Sequence, residues 1–255
     1  MISIFLESAL ILFAYASLWF IVSIWKKRND LADIAWGLGY VLLSGYQVLT
    51  RDIHPVLLVC FILIAIWGIR LSIFIYLRNR NKPEDFRYAQ WRKEWGSMFY
   101  IRSFLQVYLL QAFFLLIIIS PVLFSASFDH SEWSIFTVLG VLIWAIGFYW
   151  QSVGDTQLKR FVKNRKSKED ILETGLWRYS RHPNYFGEIT MWWGIYLIVF
   201  PLPGSLFFII GPITISLLIR YVSGVPMLEK RYEDNERYQE YKKRVPILFP
   251  KLNLK

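Results

Sequence analysis

Long apolar runs separated by short charged stretches set the plan of this 255-residue chain. The runs fall at about 2–25, 31–50, 54–77, 103–125, 133–158, 184–200 and 204–224. Each approaches the roughly 20 residues that a helix needs to cross a bilayer. The pattern therefore predicts an all-α integral membrane protein with seven transmembrane helices, built as one polytopic domain over 1–255. The connections between runs alternate in character. Those at 51–53, 126–132 and 201–203 are short, and Pro201-Leu-Pro-Gly204 reads as a tight turn. Those at 26–30, 78–102 and 159–181, and the tail 225–255, are charged.

Charge fixes the expected orientation. The four charged stretches hold three, seven, eight and eight Lys or Arg, which is 26 of the 29 in the chain. Basic residues collect on the cytoplasmic side of membrane proteins, so the N-terminus is expected outside and the C-terminus in the cytoplasm, most simply at a bacterial inner membrane. The first run carries one charge, Glu7, and its basic cluster Lys26-Lys27-Arg28 comes after the apolar residues. A cleaved signal peptide has the opposite order. The net charge of +10 is thus topological, and nucleic acid is not an expected partner. Membrane lipids and a lipophilic small molecule are. The composition agrees, with 55% hydrophobic, 18% aromatic and only 19% charged residues, well below the quarter or so of charged residues in a soluble domain.

Against this apolar background the polar residues can be placed by depth. Asp33 and Trp36 begin the second run, and Arg70 lies about two turns inside the third. Gln151 and Asp155 share one face near the basic end of the fifth, and Asn184 and Glu188 open the sixth at the same i, i+4 spacing. All fall in the cytoplasmic half, and the outer half holds almost none. Buried charges in a membrane face the bundle interior and pair, so a shared polar cavity is expected, with Arg70 alternatively a counter-ion to Asp155 or Glu188. The stretch Gly175-Leu-Trp-Arg-Tyr-Ser-Arg-His-Pro-Asn-Tyr-Phe-Gly-Glu188 is the densest in such groups. Pro183 suits a first helical turn, and a helix start preceded by Arg178, Arg181 and His182 can receive a polar or anionic ligand. The loop at 78–102 mixes charge with aromatics, which predicts that it packs. The tail beyond Pro226 is amphipathic, with Met227, Tyr238, Tyr241 and Val245 on one face, expected against the membrane surface. The lone Cys60 excludes an intramolecular disulfide, three scattered histidines argue against zinc, and no nucleotide-binding glycine loop is present.

Five stretches together carry a resemblance: Asp33-Ile-Ala-Trp-Gly37, Trp67-Gly-Ile-Arg-Leu71, Pro83-Glu-Asp-Phe-Arg-Tyr88, Gly154-Asp-Thr-Gln-Leu158 and Gly175–Glu188. They resemble uncharacterised bacterial membrane proteins related to the steroid 5-alpha-reductase family, along essentially the whole chain. The resemblance implies a reductase-like helix bundle, an NADPH site facing the cytoplasm, and reduction of an activated C=C bond in a lipophilic, steroid-like or isoprenoid substrate. It implies cofactor contacts at Arg70, Gln151, Asp155, Asn184 and Glu188, with Tyr179, Arg181, His182, Tyr238 and Arg244 around them. Asp33, Trp36 and Trp67 are the candidates at the catalytic end. Trp67 stands where the reductases carry a tyrosine, and an indole N–H donates a hydrogen bond but does not supply a proton as a phenol does. A second resemblance covers the last third. Arg181-His-Pro-Asn-Tyr185 and Tyr238-Gln-Glu-Tyr-Lys-Lys-Arg-Val-Pro246 are similar to isoprenylcysteine and phospholipid methyltransferases, which implies S-adenosylmethionine as the alternative cofactor. A lipid-binding protein without chemistry is the reading outside enzymes.

Overall fold

In the computed structural model, residues 1–167 and 169–251 are described, so the last four residues of the predicted tail lie outside them. Among the described residues every regular element is helical. We label them α1 (Ile2–Lys26), α2 (Leu31–Thr50), α3 (Pro55–Asn79), α4 (Phe86–Ile118), α5 (Ser120–Ser125), α6 (Ile135–Asn164), α7 (Pro183–Val199), α8 (Ser205–Glu229) and α9 (Glu236–Arg244). Each predicted run is met by a helix. Five of these, α1, α3, α4, α6 and α8, are long and apolar enough to cross a membrane. α2 is long enough at 20 residues, but Asp33, Gln47 and its glycines make it less apolar, and α7 has 17 residues.

Two boundaries depart from expectation. The run 103–125 is the second half of a helix that already begins at Phe86, and it breaks at Ile119. Pro121 explains the break, since its ring opposes the carbonyl four residues back. Phe86–Trp95 is helical because Asp85 caps it, accepting the Arg87 N–H at 3.1 Å. Tyr88, Trp91 and Trp95 then pack with Ala16, Ala32, Val107 and Tyr108, as the aromatic content of that loop predicts.

The chain divides into two compact units, Met1–Ser134 with Val199–Gly211, and Ile135–Ile198 with Pro212–Lys255. In the first, α2 and α3 meet through glycine. A Cβ on Gly68 would lie 2.6 Å from the Gly37 carbonyl oxygen, so neither position accepts a side chain. α1 ends on Lys27 in the left-handed conformation, which turns Arg28, Asn29 and Asp30 inward. The first unit also pairs polar groups at the other end of α1 and α2, where the sequence pattern suggests almost none. Glu7 pairs with Arg51, and Gln47 and Ser8 are fully buried side by side.

In the second unit α6 and α7 run antiparallel with their backbones in contact. Gly140, Gly147 and Gly154 recur at seven-residue spacing on α6, a period that keeps one face of a helix toward its partner. A Cβ on Gly147 would lie 2.6 Å from the Gly187 oxygen, and one on Gly194 would lie 2.7 Å from the Gly140 oxygen. Small residues at such crossings are what let membrane helices associate closely. α9 buries Tyr238, Tyr241 and Val245 against Ile171 and Tyr232. Its apolar face is therefore occupied within this unit, where the sequence pattern suggests the membrane surface.

Candidate functional site

The glycine contacts of α6 and α7 place polar side chains opposite one another at the next turns. Gln151 Nε2 donates to Glu188 Oε2 at 3.0 Å, and Asn184 Nδ2 donates to Asp155 Oδ1 at 3.1 Å. These two amide–carboxylate rungs join four residues that sequence depth and spacing single out. Both rungs sit just inside the basic end of α6, where Lys159, Arg160 and Lys163 follow.

The segment before α7 is built onto the same end. Gly175 has φ +65°, a turn that lets the Leu176 N–H reach Gln157 Oε1 at 3.0 Å and the Trp177 indole N–H reach the Gly154 oxygen at 3.2 Å. Tyr241 of α9 donates its hydroxyl to the Trp177 carbonyl. The chain beyond α9 then runs along this segment. Arg181 N–H donates to the Pro246 oxygen at 2.9 Å, Ser180 Oγ to the Leu248 oxygen at 2.8 Å, and Lys251 N–H to the Tyr179 oxygen at 3.1 Å. Tyr179 thus enters through its backbone.

At the centre lies Glu229, which the motif analysis missed. Its Oε1 is 2.5 Å from Arg181 Nη1 and 3.3 Å from His182 Nε2, and its Oε2 is 3.4 Å from Lys242 Nζ. Arg181 and His182 are 6% and 3% exposed, and a buried cation requires such a partner. The available signal was an acid set among the bases of a charged tail, Glu229-Lys-Arg231. Burial pushes the His182 imidazole below its usual range, against the opposing pull of Glu229. With Nε2–H facing the carboxylate, Nδ1 presents a lone pair. Burial and the nearby Glu229 carboxylate push the Tyr238 phenol up. Arg244 lies farther out, on Glu173 at 2.8 Å.

Apart from Arg181 Nη1, which faces Glu229, three buried polar atoms in this cluster lack any hydrogen-bond partner: Arg181 Nε, His182 Nδ1 and Asn184 Oδ1. Buried polar groups are rarely left unsatisfied, so one donor and two acceptors within four consecutive residues fit a polar ligand. Among the described residues no group of three or more His, Cys, Asp or Glu could hold a metal ion.

The other candidates lie in the first unit. Asp33 has both oxygens engaged, Oδ2 by Arg87 Nη2 and Oδ1 by the Tyr88 hydroxyl, each at 2.8 Å. It belongs to a network in which Glu84 accepts the Asn29 N–H at 2.6 Å and pairs with Arg92 at 2.9 Å, while Asp30 pairs with Arg28 at 2.7 Å. Trp36 lines a small, partly open cleft together with Tyr15, Trp19, Tyr108 and Gln111, and one alanine from each of α1, α2 and α4 opens the space. Trp67 is buried, edge-on to Tyr40 with centroids 5.4 Å apart, and Tyr40 is likewise edge-on to Trp36. The Arg70 guanidinium lies over the Phe74 ring at 5.4 Å.

Comparison with known proteins leaves the chemistry of the chain open. An uncharacterized protein of Schizosaccharomyces pombe is 23% identical over 212 residues, covering 69% of this chain and 59% of that protein. The protein-S-isoprenylcysteine O-methyltransferase of Saccharomyces cerevisiae is 27% identical over 126 residues, covering 45% of this chain and 48% of the enzyme. The chain thus spans about half the length of these curated relatives. No solved structure matches. A family profile described as protein of unknown function, DUF1295, matches residues 19–245, which reaches into both units and takes in every site residue that the sequence singles out, and this membrane protein belongs to that family.

Proposed function

We propose that the chain is a seven-span membrane enzyme whose basic ends face the cytoplasm, and that its second unit binds NADPH for reduction of an activated C=C bond in a lipophilic substrate. The observation that carries the binding claim is the set of unsatisfied buried atoms on Arg181, His182 and Asn184 beside the two rungs. The residues present suit the cofactor. Asp155 and Glu188 can accept from ribose hydroxyls, and Gln151 and Asn184 can pair with a carboxamide. Stretch 159–181 holds eight Lys or Arg against three acids, a surplus that suits phosphates. Glu188 itself is held on the rung by Gln151.

When bound, NADPH supplies hydride to the electron-poor carbon. The remaining work falls to the chain. Positioned hydrogen-bond donors of the chain stabilise the substrate's carbonyl oxygen as charge develops there. Asp33 holds Arg87 and Tyr88, which fastens the start of α4 to the start of α2. The whole-chain resemblance to bacterial membrane proteins related to the steroid 5-alpha-reductase family supports this reading.

Methyl transfer is the second reading, favoured by the 126-residue similarity to the isoprenylcysteine methyltransferase. Carboxylates at Asp155, Glu188 and Glu229 would suit the cationic sulfonium of S-adenosylmethionine. Calorimetric titration of the purified protein with each cofactor separates the two. NADPH alone is expected to bind, with binding lost in Asp155→Ala. Binding of S-adenosylmethionine alone would establish the second reading, and binding of neither would leave a lipid-binding protein.

A further inference from the structure

The chain beyond α9 does two things at once. Its backbone holds the Tyr179–Arg181 segment through the three hydrogen bonds given above, and its side chains alternate sharply in exposure. Leu248 is buried, whereas its neighbour Phe249, between Leu248 and Pro250, is 75% exposed. The Phe249 ring is not loose. It meets the edge of Phe186 on the first turn of α7 at 6.0 Å, and Phe186 meets Trp150 of α6 at 5.2 Å. Trp150 lies nine residues before Lys159, about 13 Å along the helix axis. Beside it Ile146 and Tyr149 turn outward, both more than half exposed. The aromatic line Trp150–Phe186–Phe249 therefore runs from the apolar flank of α6 to the strap formed by the chain beyond α9. Lys243 and Lys251 are exposed within a few residues of Phe249.

We propose that Phe249 is an interfacial anchor: its ring enters the acyl region of the bilayer beside α6 and α7, while Lys243 and Lys251 meet the headgroups. An aromatic ring below paired cations is the arrangement that membrane interfaces favour. The partner is the lipid surface because the ring rests on helices whose neighbouring outward side chains are apolar. The face of α9 that amphipathicity alone would assign to this role is already buried on Ile171 and Tyr232. Since the strap carries Phe249 on one side and the Arg181 amide on the other, the anchor ties the bilayer to the candidate site. None of this depends on which cofactor binds.

The test uses the full chain in nanodiscs of mixed phosphatidylcholine and phosphatidylglycerol. With the buried Cys60 replaced by alanine, a nitroxide is placed at Phe249→Cys or at Lys243→Cys. At 249 the label should collide more with oxygen than with an aqueous nickel chelate, and at 243 the order should reverse. Higher collision with the chelate at 249 would overturn the proposal. So would protection from both relaxants together with dipolar coupling between two copies, which would make the patch a protein interface. Phe249→Ser should speed amide exchange at Arg181 and Lys251 severalfold, and Phe249→Leu should leave it near wild type. Unchanged exchange in Phe249→Ser would refute the tie to the site.

Discussion

The two units both gather charge near a helix entrance, yet they finish the job differently. In the first, Asp30, Asp33 and Glu84 meet Arg28, Arg87, Arg92, the Tyr88 hydroxyl and the Asn29 amide, and one buried polar atom of that network, Asn29 Nδ2, is left over. In the second, Glu229 satisfies its own cations, but Arg181, His182 and Asn184 keep an unanswered atom each. A network that closes on itself fastens helices. One that leaves buried donors and acceptors unanswered has capacity to bind. Charge density alone does not distinguish them.

Four experiments would break or sharpen this contrast. Glu229→Ala should have the largest effect, because it strands Arg181 in a 6% exposed position; removing one partner of a buried pair costs about 3–5 kcal/mol, read as lost thermal stability. A smaller loss would mean that solvent or lipid reaches Arg181. Gly147→Ala should cost about 1–3 kcal/mol by overpacking, since the new Cβ would sit 2.6 Å from the Gly187 oxygen. It should also weaken cofactor binding by displacing both rungs. Glu84→Gln should cost about 1–3 kcal/mol, the range for breaking a buried hydrogen bond to a charged group. Cofactor affinity should stay within a factor of about two of wild type, under 0.5 kcal/mol on the usual conversion. A large affinity loss there would show that the first network also serves binding.

The smallest effect is one of pH. His182 is held below its ordinary value of 6.5 by burial, so the unfolded chain takes up a proton before the folded one does. Stability from neutral His182 is complete above that value and declines as pH falls below it. Thermal scans from neutral to mildly acidic pH should show the decline, and His182→Asn should flatten it.

Sequence made much of this legible, for identifiable reasons. Hydrophobic runs located every long helix because a membrane solvent demands continuous apolar stretches. The i, i+4 pairs Gln151–Asp155 and Asn184–Glu188 stood out because polar residues are rare in such runs. The partnership across helices was hidden: nothing in spacing says that Gln151 meets Glu188 and that Asn184 meets Asp155. Glu229 was invisible for the opposite reason, a single acid in a tail rich in charge. The Glu7–Arg51 and Gln47–Ser8 pairs escaped because each member looks innocuous until its neighbour on another helix is known. Asp33 was legible as unusual, but only the structure shows both its oxygens engaged.

The heptad glycines of α6 bear on how the protein is made. With 17 residues and Asn184 and Glu188 in its first two turns, α7 is a weak signal for entering a bilayer alone. Backbone-to-backbone contact with α6 shields those side chains by pairing them with Gln151 and Asp155. The two helices are thus suited to leave the insertion machinery together, as a hairpin. A bulkier residue at Gly140 or Gly147 would then act first on biogenesis, before any chemistry is attempted.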